Sequence, residues 1–549
     1  MTCSELTICT LCVQVNLDGY ALPIKKLKGT EPVESLDLSN KLLGAASAIV
    51  IASLIGVNGG LIKISLAKNM LGEEGTKAIC EALEQNKTLK ELDISGDIDG
   101  ESNIGGTAGV KHVAKMLGVN GGLTKISLAK NELGEEGTKA ICKALEQNKT
   151  LKELDISGDI DGESNIGGTA GVKHVAKMLG INGALTSVEL RGNQLVDKGW
   201  GAIFAAICGN KDSKIIAMDA SFENISPAGV KLIAEALRTR VTGALTSISL
   251  ANNMISGIGG QFSGQYSYGS GELRGAFSIK GIAALADALS KSMTLRSVDL
   301  SNNSLAGVNR SGHGTFRPEV INLIADAIRV NGALTSVELR RNQLVDKGWG
   351  AIFAAICGNK DSKIMSLDAS GEDIVLAGAQ LIAEALRTSV TGALTALDLS
   401  LNDLKDEGVI AVCEAIQSNK ETKLASLNFG NNGIGPVGAN AVAAMVAVTG
   451  ALTKLSLAGN ILGEEGIKAI CEALEQNKTL KELDLSGGFP SFSNFGLAGG
   501  AAGAKHVAKM LGVNGALTEC DLSHNGIGEE GSASIRFAAQ GKAGFKLHL

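Results

Sequence analysis

Apolar residues recur along this chain in a fixed frame, Leu-x-x-Leu-x-Leu-x-x-Asn-x-Leu, and the segment LIKISLAKNML at 61–71 is one copy of it. The first half of the frame alternates apolar and polar positions, and this period of two predicts a short β-strand. The segment that follows, GEEGTKAICEALEQNKT at 72–88, places Ile79, Ala82 and Leu83 on one side of a helix and charged residues on the other. Each copy therefore predicts one strand followed by one helix.

The frame occurs sixteen times, and most successive copies begin 28 to 30 residues apart. Because one such unit has apolar faces that only neighbouring units can cover, the copies must stack on one another. The prediction is an α/β horseshoe solenoid of about 16 repeats, with a parallel β-sheet on the concave side and helices on the convex side. We expect an N-terminal cap at 1–32 and the array at 33–549. The sixteen copies begin at Val33, Leu61, Leu89, Leu123, Leu151, Leu185, Ile215, Leu245, Leu295, Leu334, Ile364, Leu394, Leu424, Leu452, Leu480 and Leu517.

The frame and its helix resemble the ribonuclease-inhibitor-like class of leucine-rich repeats, over about Val33 to Leu549. That class includes the ribonuclease inhibitor, the C-terminal regions of NOD-like receptors and the GTPase-activating protein of Ran. The resemblance implies a leucine-rich-repeat horseshoe that works as a non-enzymatic scaffold or recognition module for a protein partner. Two alternatives follow from the same family. One is a GTPase-activating or regulatory protein for a small Ran-like GTPase, and the other is a NOD-like-receptor-type sensor without its nucleotide-binding domain.

Long stretches of the chain are duplicated. Residues 61–122 and 123–184 differ at five of 62 positions, and 185–244 recurs at 334–393. An inserted pair of repeats preserves every local contact, because each repeat contacts only its neighbours. A catalytic site needs unique residues in fixed places and would not tolerate such copying. The chain also lacks the GxxxxGK[ST], HExxH and GxSxG motifs. We therefore predict a protein that is not an enzyme, with no catalytic residues.

The asparagine of the frame is predicted to be structural. A buried amide at the end of a strand can satisfy backbone groups that lose their partners where the chain turns. Ten copies carry this residue: Asn69, Asn131, Asn193, Asn253, Asn303, Asn342, Asn402, Asn432, Asn460 and Asn525.

An acidic stripe is predicted on the concave face, because one outward strand position carries a carboxylate in most repeats. Such a stripe would attract a partner with a basic surface. The alternative is that aspartate is the usual filler of this position, and several basic residues, such as Lys63, Arg191 and Arg340, interrupt the stripe. Its members are Asp93, Asp155, Glu189, Asp219, Asp299, Glu338, Asp368, Asp398, Asp484 and Asp521.

Insertions interrupt the repeat near 256–280, 306–320 and 487–496. The first two leave from the same point of adjacent repeats, so they are expected to protrude together from one rim. They concentrate aromatic and arginine residues, which commonly anchor protein interfaces. The alternative is a disordered Gly/Ser loop without a partner. The candidate binding residues are Phe262, Tyr266, Tyr268, Arg274, Arg310, Phe316 and Arg317.

The formal net charge of −6 argues against a nucleic-acid partner. No apolar run is long enough to span a membrane, so no membrane partner is expected. Most cysteines occur in apolar helical segments and are predicted to be buried and reduced, as in the cytoplasm. A single CxxC at Cys9 and Cys12 and the acidic segment GDIDGES at 96–102 are too incomplete for zinc or calcium sites. We predict no metal and no cofactor, and the oligomeric state stays open.

Overall fold

The computed structural model describes residues 14–97, 102–159, 164–241, 243–258, 276–308, 314–487 and 500–549. The chain forms two compact units. The first ends at Ile255, and the second comprises Ser256–Gly260 together with Gly271–Leu549. Both are built from the same element, a three-residue strand followed by a helix of 11 to 14 residues.

The first unit opens with an antiparallel hairpin and a short helix, β1 (Gln14–Leu17), β2 (Tyr20–Pro23) and α1 (Ile24–Lys28). Its repeats then follow in order. They are β3 (Ser35–Asp37), α2 (Ala45–Ile55), β4 (Lys63–Ser65), α3 (Gly72–Gln85), β5 (Glu91–Asp93), α4 (Gly106–Val119), β6 (Lys125–Ser127), α5 (Gly134–Leu145), β7 (Glu153–Asp155), α6 (Gly168–Leu179), β8 (Ser187–Glu189), α7 (Val196–Gly209), β9 (Ala217–Asp219), α8 (Pro227–Thr239) and β10 (Ser247–Ser249). Strands β3 to β8 form a parallel sheet in chain order, and β9 pairs with β10.

The second unit contains the remaining helices and strands. They are α9 (Ile279–Lys291), β11 (Ser297–Asp299), α10 (Pro318–Val330), β12 (Ser336–Glu338), α11 (Val345–Cys357), β13 (Ser366–Asp368), α12 (Leu376–Arg387), β14 (Ala396–Asp398), α13 (Lys405–Ser418), β15 (Ser426–Asn428), α14 (Pro436–Val448), β16 (Lys454–Ser456), α15 (Gly463–Gln476), β17 (Glu482–Asp484), α16 (Gly500–Val513), β18 (Glu519–Asp521), α17 (Gly528–Ala539) and β19 (Lys546–His548). Strand β11 pairs with β12, and β13 to β19 form a parallel sheet in chain order.

The sixteen predicted repeats are confirmed, since each of β3 to β18 is followed by one of α2 to α17. The strand β19 adds a final strand without a helix. In β4 to β18 the middle residue of each strand is buried in the core. Ile64, Leu92 and Ile126 lie opposite one another on successive strands and are almost fully buried. The first and third residues of each strand therefore lie on the outer face of the sheet, as the period of two predicts.

Glycine is required at Gly105, where the chain enters α4. Its φ is +80°, and a Cβ there would lie 2.4 Å from the backbone nitrogen of Glu73 in the preceding repeat. A larger residue would be strained in the left-handed region and would also push adjacent repeats apart. Gly167 repeats both features against Glu135, so the duplicated blocks share this close packing of repeats.

The ten predicted asparagines are all buried and form a ladder of hydrogen bonds between repeats. Asn432 is representative: its Nδ2 donates to the carbonyls of Leu399, in the preceding repeat, and Phe429, in its own, at 2.8 and 3.0 Å. Its Oδ1 accepts from the backbone N–H of Leu404 at 3.3 Å. The backbone N–H of Asn432 in turn donates to Oδ1 of Asn460 in the next repeat, at 2.9 Å. The side-chain amide of Asn432 thus provides hydrogen-bond partners for backbone groups at the strand turns of two successive repeats.

A second ladder of asparagines, most of them buried, lies where helices end, and the sequence analysis did not identify it. Asn86 Nδ2 donates to the carbonyl of Ile55, the last residue of α2, at 2.8 Å, and its Oδ1 accepts from the N–H of Leu89 at 2.9 Å. The last carbonyls of a helix have no partner within the helix. The following repeat supplies one through this residue. Equivalent residues are Asn58, Asn120, Asn148, Asn182, Asn210, Asn331, Asn359, Asn419, Asn477 and Asn514.

Glutamate replaces the ladder asparagine in one repeat of each unit. The two residues, Glu223 and Glu372, are 4% and 5% exposed. Glu223 Oε1 accepts from the N–H of Gly192 at 2.7 Å, and its Oε2 accepts from Trp200 Nε1 at 3.1 Å. Burial raises the pKa of Glu223, which these hydrogen bonds partly offset. Trp200 and its duplicate Trp349 are fully buried, and each donates its indole N–H to the glutamate of the following repeat.

Cysteines in the described helices and in β18 are buried and unpaired. Burial raises the pKa of the Cys208 thiol to about 11 and that of Cys520 to about 12. Such thiols stay protonated and pack as small apolar side chains. Cys3, Cys9 and Cys12 lie outside the described residues. The seven buried cysteines are Cys80, Cys142, Cys208, Cys357, Cys413, Cys471 and Cys520.

Substituting Asn432→Ala should destabilise the second unit by about 3 kcal/mol, because buried carbonyls and an N–H group lose their partner. Urea denaturation followed by circular dichroism measures the effect. The matched control is Asn440→Ala in α14, whose side chain bonds only its own helix at an exposed position. It should change the stability by less than about 0.5 kcal/mol. Equal effects of the two substitutions would contradict a structural role for the ladder.

Candidate functional site: the outer face of the strands

The outer face of the strands is defined here by two rows of residues, the first and the third residue of each three-residue strand. The register aligns each row across neighbouring strands, so that Asp155 lies opposite Glu189 and Asp368 lies opposite Asp398. Neighbouring strands in a sheet are about 4.8 Å apart. All ten residues of the predicted acidic stripe lie in the third-residue row, and Asp37 of β3, which the sequence analysis missed, occupies the same position.

The eight aspartates of the stripe bind their own strand ends. In each, Oδ1 accepts from the backbone N–H of a serine two residues later, at 2.8 to 3.1 Å. In Asp484 the second oxygen is also occupied, because Ser456 Oγ of the preceding strand donates to Oδ2 at 2.8 Å. Asp-x-Ser is therefore a turn motif that closes the strand. These aspartates are Asp93, Asp155, Asp219, Asp299, Asp368, Asp398, Asp484 and Asp521.

The first-residue row carries ion pairs in part of each unit. Lys63 Nζ lies 3.2 Å from Glu91, and Lys125 Nζ lies 2.8 Å from Glu153, each on the next strand. Lys454 pairs in the same way with Glu482 at 2.9 Å in the second unit. The lysines that interrupt the predicted stripe are thus neutralised by neighbouring glutamates. A lysine and a glutamate at the same strand position of successive repeats were the sequence signal for these pairs.

Glu189 and Glu338 differ from the aspartates, because an arginine instead of a serine stands two residues later. Glu189 lies on β8 between Asp155 and Asp219, and Arg191 Nε approaches Asp219 Oδ2 at 3.2 Å. We call these four residues the first acidic cluster. Partial burial, together with the carboxylate of Asp155, raises the pKa of Glu189. A recess of about 380 Å³ adjoins it, with Lys130 on its wall.

The second acidic cluster is the duplicate of the first and consists of Asp299, Glu338, Arg340 and Asp368. Arg340 Nη1 lies 3.1 Å from Asp368 Oδ2 and its Nε lies 3.8 Å from Glu338 Oε2. Partial burial raises the pKa of Glu338, and the carboxylates of Asp368 and Asp299 act in the same direction. Each cluster contains three carboxylates and one guanidinium, so each is negatively charged.

Small residues fill the first-residue row beside both clusters. They are Ser187, Ala217 and Ser247 in the first unit and Ser297, Ser336, Ser366 and Ala396 in the second. Side chains of this size leave the cluster carboxylates accessible, whereas lysine–glutamate pairs occupy the same row on β4 to β7 in the first unit and on β16 and β17 in the second. The outer face of each unit therefore has one ion-paired part and one open, acidic part.

The rim residues are only partly described. Phe262, Tyr266, Tyr268, Arg274 and Arg310 lie outside the described residues, and so does most of 487–496. The described ends of the first two insertions lie side by side: the Arg317 guanidinium lies 4.8 Å from the centre of the Phe277 ring. Ser256 Oγ also donates to the carbonyl of Asn303 at 3.0 Å. Phe316 borders an apolar recess of about 560 Å³, which includes Val345 and Leu381.

Among the residues that the structure describes, no group of three or more His, Cys, Asp or Glu side chains could hold a metal ion. No described helix is both long and apolar enough to cross a bilayer.

Substitutions can separate turn-forming aspartates from exposed cluster glutamates. Asp484→Ala should lower the free energy of unfolding by about 1–2 kcal/mol, because two serines and a backbone N–H lose their acceptor. Glu338→Gln should leave it unchanged or raise it slightly, since the raised pKa of Glu338 means that the fold disfavours its charge. Urea denaturation at neutral pH measures both. A loss of stability in Glu338→Gln equal to that in Asp484→Ala would refute the distinction.

Comparison with known proteins gives the following matches. A family model described as Leucine Rich repeat matches residues 394–413, 420–443 and 452–471. Human "NACHT, LRR and PYD domains-containing protein 13" is 30% identical over 164 residues, 30% of this chain and 15% of that protein. Ribonuclease inhibitor of Sus scrofa is 31% identical over 140 residues, 25% of this chain and 28% of the inhibitor. The chain thus spans less than a third of the length of either relative.

A solved structure, the TLR13–ssRNA13 complex, aligns with 86% of this chain and 53% of its own, at 14% identity and a TM-score of 0.42.

Proposed function

Since the chain belongs to the ribonuclease-inhibitor-like leucine-rich-repeat proteins, we propose that it is a non-enzymatic module that binds a protein partner. Binding takes place on the outer face of the strands, at the two acidic clusters. The rim insertions near 256–280 and 306–320 contribute further contacts. The name of the ribonuclease inhibitor indicates that one array of this kind acts by binding another protein. The observation that carries the proposal is the open, acidic part of each outer face.

The partner is proposed to present lysine or arginine side chains. Each cluster has three carboxylates and a single arginine, so it keeps a net negative charge, although its aspartates also accept hydrogen bonds from their own strand ends. A partner's basic side chain would supply the missing positive charge and would be directed to the cluster by the long-range field. Partial burial and neighbouring carboxylates raise the pKa of Glu189 and of Glu338, and a binding role would account for glutamates at these positions.

Duplication supports the same proposal. The blocks 185–244 and 334–393 each carry three of the four residues of one acidic cluster and one Trp–Glu pair, in the same order. A second copy of a binding surface adds a second weak contact, and two weak contacts on one partner raise the overall affinity. The buried, unpaired cysteines fit a reducing compartment, so we place the protein in the cytoplasm.

Anisotropy of a fluorescent lysine-rich peptide tests the clusters. The double variant Glu189→Gln, Glu338→Gln should weaken binding about fivefold or more at low salt, because both clusters lose one charge. The matched control is Glu136→Gln, Glu407→Gln, which removes the same charge from the starts of α5 and α13. It should change the affinity less than twofold, and equal weakening in both variants would refute the proposed site.

The pH dependence of the affinity for the same peptide provides an independent test. A raised pKa means that Glu189 and Glu338 take up protons at a higher pH than ordinary glutamates do. The clusters are fully charged above this raised pKa, and they lose charge as the pH falls through it. Wild-type affinity should therefore begin to fall at a higher pH than that of the double variant. Identical pH profiles of the two proteins would contradict the role of these glutamates.

A further inference from the structure

The loops that connect each helix to the next strand form the helix-exit edge of the second unit. In every second repeat an exposed valine lies at the last residue of the helix or, for Val390, in the loop that follows the helix. Val330, Val390, Val448 and Val513 are 64%, 56%, 68% and 62% exposed. Exposed valine is common at single sites. The same exposed position in four alternate repeats is a periodic feature of the surface.

The intervening loops carry the motif Asn-Lys-x-x-Lys. All six of its lysines are exposed: Lys360, Lys363, Lys420, Lys423, Lys478 and Lys481. Within the described residues none of the six forms an ion pair, whereas Lys454 on the outer strand face is paired with Glu482. These three loops contain two acidic residues, Asp361 and Glu421, so six positive charges face two negative ones. The helix-exit edge is thus basic in a protein whose net charge is −6.

Hydrogen bonds hold these loops in fixed order. Asn359 Nδ2 donates to the carbonyl of Asn331 at 2.8 Å, and Asn419 Nδ2 donates to that of Ser389 at 3.0 Å. Lys423 lies against Gly392 of the preceding loop, where an added Cβ would be 3.1 Å from its Cδ. Valines and lysines are therefore presented side by side by a rigid ladder.

The helix dipole explains only part of this pattern. Lysines near the C-termini of helices interact favourably with the dipole, and this would account for basic residues at the edge. It does not account for the valines, which lie beside the lysines and contact solvent over more than half of their surface. A polar residue at these positions would satisfy the loop equally well.

We propose that the helix-exit edge of the second unit docks on the surface of an anionic phospholipid bilayer. The lysines contact lipid phosphates and carboxylates, and the valines enter the headgroup region between them. Surface binding of this kind combines positive charge with modest aliphatic insertion. The expectation of no membrane partner rested on the lack of a spanning segment, and surface docking needs no such segment.

The chemistry of the edge favours a bilayer over other anionic partners. Sites for single-stranded nucleic acid combine basic grooves with aromatic side chains that stack on bases. The loops at 331–335, 358–365, 388–395, 419–425, 449–453, 477–481 and 514–518 contain no Phe, Tyr or Trp. A protein interface has a contiguous apolar centre. The valines here are instead separated from one another by charged loops, which suits insertion of single side chains among lipid headgroups.

One recess on this edge is suited to a lipid headgroup. It has a volume of about 670 Å³ and is lined by residues that include Met293, Arg296, Val330, Lys360 and Lys363. Met293 is 82% exposed. Two aliphatic side chains and three cations thus surround one cavity, with Asp361 also on its wall.

The first unit has the same alternation. Val57, Val119 and Ile181 are 74%, 58% and 51% exposed. The loops between them carry Lys87, Lys149 and Lys211, which are also exposed. The pattern thus occurs in both units, partly in segments that recur between them, such as GNKDSK at 209–214 and 358–363. The proposal is tested on the second unit, where the alternation is most regular.

Co-sedimentation of the full chain with vesicles tests the proposal. Vesicles of phosphatidylcholine with about one third phosphatidylserine should bind the protein, and phosphatidylcholine alone should not. Each lysine near an anionic surface contributes roughly fivefold to partitioning at low salt. The variant Lys360→Gln, Lys363→Gln, Lys420→Gln, Lys423→Gln should therefore bind about 600-fold more weakly at low salt. The variant Val390→Ser, Val448→Ser, Val513→Ser should bind about tenfold more weakly.

The matched control removes four lysines elsewhere on the second unit, Lys347→Gln, Lys405→Gln, Lys468→Gln and Lys505→Gln, and should bind almost as the wild type does. Loss of binding in this control equal to that in the edge variant would overturn the proposal, since net charge alone would then explain it. Lack of wild-type binding to the anionic vesicles would also overturn it. So would unchanged binding of the valine variant, which would indicate a general polyanion site instead of a bilayer.

Discussion

Each repeat leaves apolar faces, strand-end backbone groups and helix-end carbonyls that only its neighbour can satisfy. The two asparagine ladders meet the polar part of this requirement, one at the strand turn through residues such as Asn432 and one at the helix end through residues such as Asn86. Both reach from one repeat into the next. Stability is consequently a property of adjacent repeats, and the outer faces carry residues that the fold does not need.

This division explains where function can lie. The aspartates of the third-residue row belong to the fold, because they close strand ends, and most strand-face lysines are neutralised by glutamates. Glu189 and Glu338 remain, and so do the valines and lysines of the helix-exit edge. The acidic clusters and the basic edge lie at different parts of the repeat, so the two proposed binding surfaces do not overlap.

The repeat count, the period-two strands and the buried asparagines of the frame could be predicted, because each depends on spacing that every copy shares. The helix-end ladder was missed because its asparagines, in segments such as QNKT and VNGG, resemble ordinary loop residues until the neighbouring helix end is placed beside them. The Trp200–Glu223 bond joins residues 23 positions apart in different repeats, which no local pattern reveals. The distinction between turn-forming aspartates and open glutamates likewise required the cross-strand partners.

The account depends most directly on stacking between neighbours, and deletion of residues 123–184 tests it. The deletion places β5 and α4 directly before β8. Residues 89–118 of that segment have the same sequence as residues 151–180, which contain β7 and α6, and β7 is the strand that pairs with β8 in the intact protein. The shortened protein should fold with unchanged helical content per residue and a cooperative urea transition, whereas a deletion ending half a repeat later should not. Failure of the in-phase deletion to fold, with both deletions equally disruptive, would contradict the account.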